Sequence, residues 1–294
     1  MTTPIVEHKS AMEFLDSCRD WLSLDEIVNH GMLSLAEVLT SPSSIYHPPF
    51  IFAHVRCGKD ICGCWIYAEP DGLTVSDLST ESQFFVFEHV QKYVHLPSRI
   101  FGPREPALQI AQLFGEIRNT SYRIDSVWRV HYLKDLSGKP IPVRGSIRTA
   151  ETKDRALVSN WGKKYDIERP ANVDIQQFLL QKLVDKSLYL WVDVDGHPKS
   201  LATISGGNCS GPRISSVYTP PGLRSNGYAT ALVRSLSRKF LENGRPYVTL
   251  NTLLGDPVER IYWRLGYRPV AEKVSVIFEA TPEMLAQRNI TEIE

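Results

Sequence analysis

The 294-residue sequence has no excess of either charge and no long apolar segment. Its 33 Lys and Arg residues balance 33 Asp and Glu residues, so charge gives no reason to expect nucleic acid or an anionic membrane as partner. No apolar run reaches the ~18 residues of a membrane-spanning helix, and the N-terminus lacks the pattern of a secretion signal. We therefore expect a cytoplasmic protein whose partner is a small molecule, with no nucleic-acid and no membrane partner.

Cysteine is also sparse, since the chain has only five. The odd number fits a reducing compartment and does not suggest a disulfide framework. Cys57, Cys62 and Cys64 lie close together after His54, and residues of these types can bind a metal. The same segment is explained as two strands joined by a turn at 58–60, in which the small cysteines are buried strand residues. On this interpretation we expect no metal.

The length predicts two domains, each large enough to bury a core. Residues 135–142 combine Gly, Ser and two prolines, a composition that cannot continue a helix or a central strand. We therefore predict an N-terminal domain at 1–135, a linker at 136–144 and a C-terminal domain at 145–294.

The spacing of apolar residues predicts helices and strands in both halves. For the N-terminal half it predicts helices at 10–20 and 24–40, strands at 50–57, 61–68 and 72–78, a helix at 82–94, a strand at 99–101, a helix at 105–117 and a strand at 122–133. For the C-terminal half it predicts a strand at 145–150, helices at 153–165 and 174–186, strands at 187–194, 199–205 and 213–219, a helix at 228–243, a strand at 247–253, a helix at 258–265 and closing strands near 267–279. The repeated β-β-β-α-β-α-β order predicts that the first half contains a degenerate copy of the second.

The most informative segment leads from the strand at 213–219 through two prolines into Arg224-Ser-Asn-Gly-Tyr-Ala229, which opens an amphipathic helix. Free N–H groups at a helix N-terminus, supported by the helix dipole, bind phosphate. Gly227 allows phosphate oxygens to approach the main chain without a Cβ atom in the way. The segment favours an anion site, and an ordinary strand-turn-helix is the alternative.

About thirty residues later, the chain has a second motif, Ile261-Tyr-Trp-Arg-Leu-Gly-Tyr267. The Arg-x-x-Gly-x-Ala helix start and the Ile-Tyr-x-x-Leu-Gly-Tyr segment together resemble the two coenzyme-binding motifs of the GNAT superfamily of N-acetyltransferases. The supporting order of elements covers about 145–280. Arg148, Trp161 and the strand at Trp191 are placed as in a bacterial subgroup with an extra N-terminal GNAT-like domain, similar to the glycine N-acyltransferases.

This resemblance implies an α/β protein with a mixed sheet, made of tandem GNAT-like folds in which only the C-terminal copy binds coenzyme. The implied activity is acyl-CoA-dependent N-acyl transfer, with acetyl-CoA or another acyl-CoA as cosubstrate and no metal. The acceptor would be a primary amine of a small molecule or amino acid, which attacks the thioester directly.

The resemblance also implies roles for particular residues. For the pantetheine arm it implies Val217, Tyr218 and Thr219, and for the pyrophosphate Arg224, Ser225, Asn226, Gly227, Tyr228 and Ala229. A backbone N–H near Val217 or Tyr218 would stabilise the oxyanion, and the phenol of Tyr262 would protonate the departing thiolate. The alternative for Tyr262 is a packing role.

Asp256 departs from the family, which usually has Asn before the proline at this position. An aspartate caps a helix well, but a carboxylate facing the coenzyme would repel its phosphates. Asp256 thus either points away or weakens binding, and a non-catalytic acyl-CoA-binding or regulatory protein is the alternative function. The sequence does not identify the general base, and Asn251, Thr252 and Ser216 are candidates for orienting a water.

A hydrolase is a further alternative. Residues 207–211 place Cys209 between small residues with the spacing of a nucleophile elbow, a motif that needs a strand before it and a helix after it. Residues 212–217 predict a strand, which argues against this reading.

Overall fold

The computed structural model describes residues 4–41, 45–138, 142–169 and 174–279. It forms two compact units. Unit 1 comprises Met1–Leu22, Leu39–Trp128 and Glu272–Glu294, and unit 2 comprises Ser23–Val38 and Arg129–Ala271.

The elements of the first half agree with the predicted ones to within a few residues at their ends, except for one short strand at the start that the pattern did not predict. In chain order they are β1 (Ile5–His8), α1 (Ala11–Ser23), α2 (Glu26–Leu39), β2 (His47–Cys57), β3 (Asp60–Glu69), β4 (Gly72–Val75), α3 (Thr80–Val90), β5 (Arg99–Pro103), α4 (Arg104–Arg118) and β6 (Tyr122–Leu133).

The second half also follows the predicted order, with one long strand where closing strands were expected. Its elements are β7 (Ser146–Thr149), α5 (Arg155–Glu168), α6 (Ile175–Val184), β8 (Leu188–Val192), β9 (Pro198–Ser205), β10 (Arg213–Tyr218), α7 (Tyr228–Glu242), β11 (Val248–Leu253), α8 (Glu259–Leu265) and β12 (Arg268–Phe278). None of the described helices is long and apolar enough to cross a membrane.

The sheet of unit 1 has the strand order β1-β2-β3-β4-β5-β12. β2, β3 and β4 are antiparallel, whereas β4 and β5 are parallel and are connected through α3. One face of this sheet, including Trp65 and Leu73, packs against Phe87 of α3 and Phe114 of α4. The apolar faces of α3 and α4 and this face of the sheet therefore form a hydrophobic core in unit 1.

The sheet of unit 2 has the order β6-β11-β10-β9-β8-β7. β8, β9 and β10 are antiparallel, and β10 and β11 are parallel with α7 between them in the chain. Leu232 and Leu236 of α7 pack on Val248 and Leu250. Both units thus contain three antiparallel strands, a crossover helix and a parallel strand, which confirms the predicted tandem fold.

The compact units are not separated at a single point in the chain. β6 and β12 each contribute residues to both units, and most of α2 belongs to unit 2. The limits 1–135, 136–144 and 145–294 remain a prediction of the domain organisation, and part of the predicted linker, 139–141, lies outside the described residues. The units depart from a linear division because the unit that a residue belongs to depends on its tertiary contacts, which local composition does not encode.

One expectation about cysteine is wrong. Cys57 and Cys62 form a disulfide at the turn between β2 and β3, with their Cα atoms 5.9 Å apart. The hairpin register shifts between Val55 and Arg56, so that Cys57 is opposite Asp60 and Cys62 lies within the irregularity, between Ile61 and Gly63. Cys57 is exposed and is not a buried strand residue.

Candidate functional site

β10 and β11 pair only over a short distance. Their parallel register covers Arg213↔Thr249 and Ile214↔Leu250. Beyond Ile214, β10 has a bulge against β9, and Ser216 has a positive φ of 49°. A bulge bends a strand and withdraws main-chain groups from the ladder. Residues 215–218, which include Val217 and Tyr218, therefore lie beside β11 without pairing to it, and an extended amide-bearing ligand arm could bind there.

The turn before α7 has the backbone conformation that an anion site needs. Arg224, Ser225 and Asn226 are exposed, and Ser225 and Gly227 have left-handed φ values of 63° and 78°. Gly227 directly precedes the 15-residue helix α7, whose N-terminus is not capped by a side chain. The turn is thus open to solvent and begins a helix long enough to have a full dipole.

The main-chain N–H groups of this turn are mostly free. Arg224 N–H donates to Pro221 C=O at 3.2 Å, so this one group of the predicted set is already used. Among the described residues, no acceptor is found for the N–H groups of 225–229. Five consecutive N–H groups at a helix N-terminus fit a diphosphate.

The end of α5 supplies charges that the sequence did not predict at this site. Glu168 forms an ion pair with Arg224 and accepts a hydrogen bond from Tyr218 Oη at 3.0 Å. The Arg224 guanidinium lowers the pKa of Glu168 and lies 5.9 Å from the centre of the Tyr218 ring. A phosphate group bound at this turn would compete with Glu168 for Arg224.

Asp256 has its charge compensated. One carboxylate oxygen accepts a hydrogen bond from Arg169 Nη2 at 2.8 Å, and the other accepts from Val258 N–H at 2.9 Å. The side chain therefore supports the start of α8 and is paired with α5. This pairing reduces the repulsion of phosphate that an isolated carboxylate would cause.

Tyr262 lies on the buried side of α8. Its ring packs edge-on against Tyr267, with 5.9 Å between ring centres. Burial raises the pKa of Tyr262, and the nearby Tyr165 and Asp256 add to this effect. The phenol is therefore protonated at neutral pH, which suits a proton donor and not a base. Tyr262 also packs in the core of unit 2, as its alternative role predicts.

The structure also joins titratable groups that sequence reasoning missed. His131 Nε2 and Thr252 Oγ1 are 2.9 Å apart, and Thr252 Oγ1 donates to Glu259 Oε1 at 2.8 Å. Arg129 pairs with the other oxygen of Glu259 at 3.1 Å. Because the Thr252 proton is directed to Glu259, Nε2 of His131 is the donor in its own bond.

His131 therefore has a lone pair on Nδ1, and this buried atom has no hydrogen-bond partner among the described residues. Burial lowers the pKa of His131, which keeps the ring neutral. The signal available in the sequence was Glu259, since it precedes Tyr262 by three residues and so lies on the same helix face. His131 gave no signal, because it lies 121 residues from Thr252.

The structure gives less support to a catalytic role for the other residues that the sequence suggested. Thr252 belongs to the network above, whereas Ser216 forms the bulge of β10 and Asn251 is half-buried in β11. Cys209 is a buried residue in the turn before β10, and its N–H donates to Gly206 C=O at 3.1 Å. A strand follows it, so the geometry of a nucleophile elbow is not formed.

Part of the chain matches a family model, and the whole chain resembles solved structures. Residues 203–276, which contain both motifs, match the family model described as FR47-like protein. A protein from Drosophila superposes with a TM-score of 0.65 at 12% identity, covering 94% of this chain and 98% of that one. A GNAT-family acetyltransferase from Colwellia psychrerythraea gives 0.57 at 11% identity, with 94% and 99% covered.

A tandem GNAT protein from the clavulanic acid biosynthesis pathway is also similar. It gives a TM-score of 0.52 at 15% identity and covers 94% of this chain and 98% of its own length. These likenesses concern the fold of both halves, whereas the FR47-like match covers the segment that forms the turn, α7, β11 and α8. The chain thus shares the fold of solved GNAT acetyltransferases, and residues 203–276 resemble the FR47-like family.

Proposed function

We propose that this protein is an acyl-CoA-dependent N-acyltransferase, with acetyl-CoA as the first donor to test, that acylates a primary amine of a small molecule or amino acid. The observation that carries the proposal is the set of five free N–H groups at 225–229, ahead of α7 and beside the unpaired end of β10. A diphosphate on the helix N-terminus and a pantetheine arm along β10 would use both features at once.

The reaction then requires three chemical contributions from the protein. A main-chain N–H near Val217 or Tyr218 stabilises the oxyanion. The protonated phenol of Tyr262 gives its proton to the leaving thiolate. The third contribution is removal of a proton from the amine. The neutral His131, whose Nδ1 has no hydrogen-bond partner among the described residues, would accept this proton directly or through a water.

The proposal is tested by measuring thiol release from acetyl-CoA in the presence of a panel of amines that includes amino acids and amino sugars. We expect thiol to appear only with particular amines and in amounts equal to the acylated product. The Gly227→Val variant provides the matched blank, because it removes the pyrophosphate site.

A protein that binds acetyl-CoA but releases no thiol with any amine would instead support the acyl-CoA-binding alternative. The observation behind that alternative was the carboxylate of Asp256. Since Asp256 is paired with Arg169, its charge no longer argues for impaired coenzyme binding, and the enzyme is the function that the site supports better.

A further inference from the structure

Unit 1 contains a buried cluster of two histidines and two cysteines on the sheet face that α1 covers. His8 ends β1, Cys18 is in α1, His54 is in β2 and Cys64 is in β3. The register of the hairpin pairs His54 directly with Cys64. Cys18 and Cys64 are fully buried, and His54 is 1% and His8 is 9% exposed.

Three of the four donor atoms lie within 4.8 Å of one another, close enough to hold a metal ion after small adjustments. His8 Nε2 and His54 Nδ1 are 2.9 Å apart, and Cys18 Sγ is 3.4 Å from His54 Nδ1 and 4.0 Å from His8 Nε2. Tetrahedral zinc, with Zn–N of about 2.0–2.1 Å and Zn–S of about 2.3 Å, separates its ligand atoms by about 3.3–3.6 Å. The observed N···N distance of 2.9 Å is shorter than these values, and the longer of the two S···N distances, 4.0 Å, exceeds them.

Cys64 is the candidate for the fourth donor. Its thiol is hydrogen-bonded to Cys18, but the donor atoms that all lie within 4.8 Å of one another are those of His8, Cys18 and His54. The Cys64 side chain must therefore move towards the histidines to complete the shell. Four ligands complete the closed shell of a structural zinc site. Sulfur and imidazole donors also select zinc over calcium and magnesium, which prefer oxygen.

The surroundings favour a structural ion. Phe14 packs edge-on against the His8 ring, with ring centres 5.8 Å apart, and α1 covers the cluster from solvent. Such burial leaves no path for a substrate to reach the Cys18 thiol as a nucleophile. Imidazoles and thiols in an apolar core need polar partners. Here they are within hydrogen-bond distance of one another, and a shared cation would replace these bonds by coordination.

We propose that unit 1 binds one zinc ion through His8, Cys18, His54 and Cys64, and that the ion fastens β1 and α1 to the β2–β3 hairpin. This site differs from the cluster considered from the sequence, because Cys57 and Cys62 bond to each other. The ligands come from four separate elements and have no recognisable spacing along the chain.

Binding also requires a local change at Arg56. Arg56 Nε donates to the outer nitrogen of His54, Nε2, at 3.2 Å. Coordination through Nδ1 leaves a proton on Nε2, so the two donors would then face each other. Arg56 is exposed, and its side chain turns into solvent when the ion binds. Arg56→Gln is therefore expected to bind zinc at least as tightly as the wild type.

The experiment uses the full chain, reduced and stripped of metal with a chelator, and titrated with cobalt(II) as a spectroscopic probe. We expect one equivalent to give the intense visible bands of a tetrahedral site and a thiolate-to-cobalt charge-transfer band, and one equivalent of zinc to remove both. Cys64→Ser should lower the charge-transfer intensity by about half, since one of two thiolates is lost. Cys18→Ser should lose the tetrahedral spectrum.

Cys209→Ser is the matched control, because Cys209 is also buried and outside any disulfide but belongs to unit 2. It should keep the full cobalt spectrum. Zinc should also raise the melting temperature of the stripped wild type and of Cys209→Ser by several degrees, and that of Cys18→Ser much less. This second measurement on the wild type decides the question even if Cys18→Ser does not fold.

Three results would overturn the proposal. One is a folded wild-type protein that gives no tetrahedral cobalt spectrum and no thermal shift with zinc. Another is a Cys18→Ser protein with the spectrum unchanged. The last is a Cys18–Cys64 disulfide, seen by counting thiols before and after reduction, in a protein that still takes up no cobalt once reduced.

Discussion

Gly227 has the left-handed backbone conformation, with a φ of 78°, at the residue before α7. We expect Gly227→Val to abolish measurable acetyl-CoA binding, because its side chain would occupy the space in which phosphate meets the free N–H groups. Isothermal titration calorimetry on the folded variant measures this.

A valine at positive φ is also strained, so backbone strain needs its own control. Gly196 has a φ of 82°, and an added Cβ there meets no atom within 4 Å. Gly196→Val carries a similar strain of roughly 1–2 kcal/mol in an exposed turn of unit 2, and we expect it to bind acetyl-CoA normally. Equal binding by both variants would show that the pyrophosphate site is wrongly placed.

Tyr262 is protonated because burial raises its pKa. We expect Tyr262→Phe to lower turnover by about 10²–10⁴-fold, the usual loss for a general acid, with little change in coenzyme affinity. Tyr267→Phe is the control, since it removes a buried hydroxyl from the same aromatic pair. Near-normal turnover of Tyr262→Phe in a chemistry-limited assay would leave Tyr262 a packing residue only.

At the scale of elements, a buried histidine of α2 forms hydrogen bonds within unit 2. His30 Nε2 donates to Gly211 C=O at 3.0 Å, and Ser34 Oγ bonds to the other ring nitrogen at 3.2 Å. Burial, followed by the charge of Arg213, lowers the pKa of His30 to about 4. The folded protein therefore holds this ring neutral over a pH range in which the unfolded chain protonates it.

This shift predicts a stability that depends on pH. A histidine with a depressed pKa in the folded state contributes stability above about pH 6.5, and this contribution is lost as the pH falls towards 4. From pH 7.5 to 5.5 the loss due to His30 is roughly 1 kcal/mol. Urea unfolding at the two pH values should therefore show a smaller loss for His30→Gln than for the wild type. Equal losses in the two proteins would contradict the burial of a neutral His30.

At the scale of the whole molecule, the two crossover helices differ in how their N-termini are satisfied. Ser79 Oγ accepts from Ser82 N–H at 3.2 Å, and Asp77 accepts from Leu78 N–H at 3.1 Å. The N-terminus of α3 is thus capped by a side chain and has a nearby carboxylate. The N-terminus of α7 has no side-chain cap, and the carboxylate near it, Glu168, is paired with Arg224. Unit 1 repeats the fold without the anion site.

We therefore expect the intact chain to bind one acetyl-CoA, in unit 2. Calorimetric titration gives the number of sites directly. Two equivalent sites per chain would contradict the expectation. So would a single site that is lost when residues 77–82 are changed but kept in Gly227→Val.

Much of the fold could be predicted from local patterns. Alternating apolar residues in β2 and β3 indicate burial on one face, as does the apolar stripe of α7. The Arg224–Ala229 motif indicates the start of a helix. β1 could not be predicted, because four residues are too few for alternation to be recognised and its pairing with β2 is long-range. The same holds for His131, whose partners follow it by more than 120 residues.

The sequence by itself determined the order of elements, the repeated fold and two motifs that resemble those of GNAT acetyltransferases, because these depend on the period of apolar residues and on glycine at special backbone positions. Only the tertiary structure decided which unit each part of β6 and β12 belongs to, how Asp256 is neutralised by Arg169, and that Cys18 meets His8, His54 and Cys64. The physical reason is that side chains distant in the chain gain their electrostatic and coordinating partners only when the strands and helices that carry them pack together.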